Sequence, residues 1–64
     1  MKRVRLIRHL KKNNCDLIRE GGRHSVWKNL ETGDIATVPR HNEIKNFLAQ
    51  KICKDLRIKK PKTN

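Results

Sequence analysis

Apolar residues recur at helical spacing at both ends of this chain and at strand spacing between them. Few folds satisfy both patterns. From Lys2 to Lys12, Val4, Ile7 and the stem of Lys11 fall three or four apart, as do Leu6 and Leu10. That stripe predicts a short helix with Arg3, Arg5, Arg8 and Lys12 on its wet side. Asn13-Asn14 ends it, because Asn tolerates the left-handed backbone that follows many helices. Cys15 to Glu20 then reads as a strand, with Cys15, Leu17 and Arg19 on one face. Gly21-Gly22 breaks it and is suited to positive φ angles in a hairpin. Arg23 to Asn29 resumes as a strand, His24, Val26 and Lys28 facing one way, Arg23, Ser25 and Trp27 the other. Leu30 to Asp34 reads as a turn with Gly33 left-handed, and Ile35 to Val38 as a third strand closed by Pro39. Asn42 is the expected N-cap of a last helix, with Glu43 in its first turn. Ile44, Phe47, Leu48, Ile52 and Leu56 form its expected apolar face, and the helix should stop near Arg57.

The order is α-β-β-β-α, an α+β domain with a three-stranded antiparallel meander. Neither helix can bury its stripe alone, so both are expected on one face of the sheet, leaving the other open. A chain of 64 residues supports one such core and excludes Rossmann folds and TIM barrels. Residues 1–58 make the expected domain, and the basic tail from Lys59 to Asn64 is expected to be disordered. Trp27 and Phe47 are its only aromatic residues, too few to equip an RRM or OB-fold stacking surface.

Charge narrows the function. Lys and Arg number 17 against 6 Asp and Glu, for a formal net charge of +11. Solubility needs far less. So strong a field attracts phosphate backbones, acidic proteins or anionic surfaces, and charge alone does not separate them. The N-terminus is charged, but its longest apolar stretch is Leu6-Ile7, so no signal-peptide core follows and a cytosolic location is expected. Nothing approaches the ~18 apolar residues of a membrane span. Cys15 and Cys53 match no metal-ligand or redox spacing and are expected to pack as free thiols.

Chemistry has few places to sit. Asp16, Glu20, Glu31, Asp34, Glu43 and Asp55 are scattered singly, whereas a magnesium-dependent nuclease wants clustered carboxylates. No Gly-rich phosphate loop is present, and no two histidines share metal-ligand spacing on one helix, so neither a metal nor a cofactor is expected. His9 reads as a solvated helix residue. His41 precedes a helix start and is a candidate cap. His24 stands just after Gly21-Gly22-Arg23 at a strand entrance, with Arg19, Arg23 and Lys28 as basic flanks. An imidazole exchanges protons near neutrality while guanidinium groups hold a phosphate, so this pattern suits a phosphodiester. A plain surface or packing histidine is the alternative.

Leu6-Ile7-Arg8-His9-Leu10-Lys11-Lys12-Asn13, Leu17-Ile18-Arg19-Glu20-Gly21-Gly22-Arg23-His24 and Val38-Pro39-Arg40-His41-Asn42 occur here in order. Together these segments resemble the HicA family of toxin mRNA interferases over roughly residues 4 to 58. The resemblance implies a fold similar to the double-stranded-RNA-binding domain, mRNA cleavage, and neutralisation by a HicB antitoxin. It places the catalytic histidine on His24. The family usually carries Ser or Thr where this chain has Arg23, a hydroxyl either supplied by Ser25 or absent; Asn14-Cys15 stands where Gly-Phe is common.

The sequence therefore leads us to expect a dsRBD-like, metal-independent endoribonuclease with His24 as general acid or base. Arg19, Arg23, Lys28 and Arg40 are the expected RNA-binding residues, and His41 is the candidate second acid or base. Its expected partners are mRNA and a HicB-like antitoxin. The alternatives are a non-catalytic RNA- or DNA-binding module and a chain that has lost toxicity but still binds an antitoxin.

Overall fold

A computed structural model describes residues 1–61. Its elements are α1 (Arg3–Lys12), β1 (Cys15–Glu20), β2 (His24–Asn29), β3 (Ile35–Pro39) and α2 (Asn46–Asp55). The strands form one antiparallel sheet in the order β1-β2-β3, and the fold is the expected α+β, dsRBD-like arrangement. The inward residues of β2, Ser25, Trp27 and Asn29, alternate with the outward His24, Val26 and Lys28. Leu6 and Leu10 of α1, Ala49, Ile52 and Cys53 of α2, and Leu56 just beyond it close over Trp27, Ala36 and Val38 as one core.

Both helices bury most of the apolar face their spacing suggests, Ile44, Ile52 and Leu56 included, but one residue of each expected stripe is turned out. On α1, Leu6 and Leu10 are buried while Val4 is exposed. Arg3, placed by sequence on the wet side, lies on the same stripe as Leu6 and Leu10 and is half-buried. The start of α2 is also displaced. The Arg3 N–H donates to the Asn42 carbonyl at 2.8 Å, the Ile44 N–H donates to the Met1 carbonyl at 2.8 Å, and Lys2 bridges Glu43. Residues 42–44 are thereby held extended, so Asn42 cannot be the N-cap and Lys45 takes that position without a side-chain cap. Starting at Asn46, the helix turns Ala49, Ile52 and Cys53 inward, and Phe47, two residues from Ala49, points away and is 70% exposed.

Turn chemistry follows the sequence at Asn14 (φ 63°) and Gly33 (φ 83°), both left-handed. Gly21 and Gly22 are not, so that turn uses glycine for another reason, given below. In β1 the register shifts between Leu17 and Arg19, a bulge that breaks the simple alternation expected there. After α2, the Arg57 N–H bonds the Lys54 carbonyl and the Ile58 N–H the Cys53 carbonyl, a Schellman-type end with Arg57 left-handed at φ 58°. Of the tail expected to be disordered, Lys59 lies against α1, its carbonyl 2.8 Å from His9 Nε2, and Pro61 is buried. Residues 62–64 lie outside the described residues.

Cys15 and Cys53 are free and buried. Burial disfavours the thiolate, raising Cys15 and pushing Cys53 up to about 11, with the Cys15 charge adding to the rise. Because the folded values lie above the ordinary thiol value, the stabilising difference is lost as pH rises through the folded value. Both thiols are expected to resist iodoacetamide at pH 8 in the folded protein and to react within minutes in denaturant. Prompt labelling of the native chain would contradict this packing.

Candidate active site

His24 opens β2, its Cα paired with that of Pro39 on β3. Its side chain is exposed on the sheet face away from the helices. Gly22, Arg23, His24, Arg40 and His41 line one open depression of about 540 Å³. The antiparallel β2–β3 pairing brings Gly22-Arg23-His24 beside Arg40-His41, although they are far apart along the chain. None of the lining residues is acidic.

The turn beneath His24 is tight. The Gly21 N–H donates to the His24 carbonyl at 2.8 Å, and a Cβ on Gly21 would meet that same oxygen at 2.8 Å. A methyl at Gly22 would meet nothing within 4 Å. We therefore expect Gly21→Ala to cost about 1–2 kcal/mol and to displace the backbone that carries His24, while Gly22→Ala is tolerated. Thermal denaturation of the two variants checks the contrast, and equal melting temperatures would refute it.

Arg40 braces this turn. Its Nη1 donates to the Gly21 carbonyl at 3.0 Å, its Nε lies 3.8 Å from Glu20 Oε1, and its N–H donates to the Arg23 carbonyl at 3.2 Å. It is thus partly committed to the turn while still lining the depression. Arg23 and His41 are exposed at the rim. Arg19 sits on β1 opposite Val26, whose side chain shares the His24 face, so it flanks the site without lining it. Lys28 lies four residues along β2, about 13 Å away by strand rise, paired with Asp16 and Ile35. The structure does not bring Lys28 into the depression.

Ser25 does not supply the hydroxyl missing at position 23. It is fully buried, its Oγ accepting from Arg3 Nη2 and Trp27 Nε1, both at 3.0 Å, and donating to the Val38 carbonyl at 3.3 Å. Sequence reasoning misses Arg3 as a support of the site. Its Nε donates to the Pro39 carbonyl at 2.8 Å, directly behind the strand pair that carries His24. The available signal is its position three and seven residues before Leu6 and Leu10 rather than on the Val4 side.

Among the described residues no group of three His, Cys, Asp or Glu side chains is placed to hold a metal ion. No helix there is long and apolar enough to cross a membrane. The family model described as HicA toxin of bacterial toxin-antitoxin matches residues 4–58. No curated protein and no solved structure matches the chain. That match runs from the first turn of α1 past the end of α2 and includes every residue of the depression, so the chain belongs to the HicA family of bacterial toxin–antitoxin toxins.

Proposed function

We propose that this toxin is a metal-independent mRNA endoribonuclease acting in the cytoplasm, with His24 as its general acid or base. The observation that carries the reading is the convergence of His24, His41, Arg23 and Arg40 on one acid-free depression. A phosphodiester placed there meets two imidazoles and two guanidiniums, which are the groups that transphosphorylation requires.

In the proposed reaction a base removes the proton from a ribose 2′-OH. The 2′-oxygen bonds to the adjacent phosphorus, the bond from phosphorus to the 5′-oxygen breaks, and an acid protonates that leaving oxygen. The products are a 2′,3′-cyclic phosphate and a 5′-hydroxyl. His24 takes one proton-transfer role and His41 is the candidate for the other. Arg23 and Arg40 offset the charge that develops on the phosphorane, and Arg19 steers the strand from the neighbouring β1 position. Arg40 does this while bracing the turn, so its replacement is expected to affect geometry as well as charge. The neutralising partner is proposed to be a HicB-like antitoxin, acidic where it covers the depression, so that complementary charge speeds association.

Induced expression tests the reading. Wild-type chain should arrest growth and leave cellular mRNA fragments with 5′-hydroxyl ends, the His24→Ala chain should do neither, and co-expression with the antitoxin should relieve arrest. Intact mRNA under wild-type induction would favour a non-catalytic binding module or a toxin whose Arg23 has cost it activity.

A further inference from the structure

The His24 depression uses little of the net charge of +11. Much of the rest lies on the helical layer. Between α1 and the segment from Lys59 to Pro61 runs a trough of about 500 Å³, whose lining includes Arg8, His9, Lys12, Lys59 and Lys60 and no acidic side chain. The contact of His9 Nε2 with the Lys59 carbonyl and the burial of Pro61 hold its wall. Lys60 also lines a second depression of about 590 Å³ on α2, shared with Phe47 and Lys54. The two depressions thus share Lys60 as a common wall.

Two features of this face lack a structural reason. Arg40, Lys51 and Arg57 each have a carboxylate partner, but Arg8, Lys12, Lys54, Lys59 and Lys60 have no ion pair among the described residues. Clustering like charges with no counter-charge destabilises a fold unless something else gains from it. Phe47, meanwhile, is the chain's sole phenylalanine and is 70% exposed beside these cations. A cationic groove with an exposed ring at its end is how sequence-tolerant single-strand binders are built, since phosphates take the cations and every base has a face to stack.

We propose that the helical face is a binding track for single-stranded RNA, separate from the His24 depression, in which the α1 trough holds backbone phosphates and Phe47 stacks a base. An acidic protein would satisfy the cations but leaves the ring unexplained. The proposal rests on the reading that this toxin acts on RNA. It supplies affinity for the strand outside the cleaved bond.

The test measures binding of an unstructured, end-labelled oligouridine of about twelve nucleotides, a length within the range of such sites, to His24→Ala protein so that nothing is cut. Adding Arg8→Gln, Lys12→Gln and Lys60→Gln together should make the slope of log affinity against log salt shallower by about 2, at about 0.7 for each phosphate that is no longer neutralised. A control losing three charges elsewhere, at Lys2, Lys11 and Lys45, should change that slope by less than about 1. Phe47→Ala should weaken binding about 5- to 100-fold at every salt concentration with the slope unchanged, and Phe47→Leu, apolar but without a ring face, should match it.

An unchanged slope in the triple variant, or wild-type affinity with Phe47→Leu, overturns the track, as does failure of the parent protein to bind the oligonucleotide. Normal RNA binding by both variants with lost capture of the antitoxin also overturns it and assigns the face to protein. These outcomes stand apart from the His24 reading. RNA that is bound through the helical face but cut equally well without His24 would overturn that reading alone.

Discussion

His24→Ala is expected to lower the proposed RNA cleavage by about 10²- to 10⁴-fold, the loss that follows when a general acid or base is removed. It should change stability by under about 1 kcal/mol. The two effects separate because of where the residue sits. His24 is exposed, its Cα pairs with Pro39 through the backbone ladder, and its side chain makes no hydrogen bond among the described residues. Alanine preserves the ladder and removes only the imidazole. Affinity for an uncut RNA should persist, since phosphates are held by permanently charged groups. His9→Ala is the histidine control. It frees the Lys59 carbonyl of its 2.8 Å contact but leaves the depression untouched, so cleavage should hold. Wild-type cleavage by His24→Ala would end the catalytic assignment, and an unfolded variant would place His24 among the packing residues.

Asn29→Ala should cost about 2–3 kcal/mol, a large share of the ~3–10 kcal/mol total expected for a chain of this size. Asn29 is only 3% exposed. Its Nδ2 donates to the Leu56 carbonyl at 2.7 Å, and its Oδ1 accepts from the N–H groups of Glu31 and Thr32 at 2.9 and 3.3 Å. One side chain thus satisfies a carbonyl at the end of α2 and organises the β2–β3 turn. Alanine leaves the Leu56 carbonyl buried without that donor. Asn29→Asp keeps the acceptor for the turn but aims an oxygen at the same carbonyl, so it should fare no better than alanine. Urea denaturation reads this as a lower midpoint with an unchanged slope; a midpoint shift worth under about 0.5 kcal/mol would show that the tie between sheet and helix is dispensable.

The candidate site is legible in the sequence because its pieces are local. A glycine pair before Arg23-His24 announces a turn at a strand entrance, and Pro39-Arg40-His41 announces the end of the next strand. Antiparallel order alone then places one beside the other. Lys28 lies outside the depression because sharing a face with His24 says nothing of distance along a strand. Ser25 fails as a replacement hydroxyl for a simpler reason. Period two puts it on the opposite face from His24, where Arg3 and Trp27 claim its oxygen.

What the sequence by itself determined was the number, type and order of the elements, the inward face of β2, and the turns at Asn14 and Gly33. These follow from short-range rules of periodicity and backbone sterics that hold wherever the segment lies. Only the tertiary structure decided the beginning of α2 and the exposure of Val4 and Phe47, one residue of each expected stripe. Met1 to Arg3 pair with residues 42–44, an association between distant parts of the chain that no local propensity encodes. That pairing consumes the backbone groups an earlier helix would have needed, moves the first turn to Asn46, and so rotates Phe47 out of the core and onto the surface.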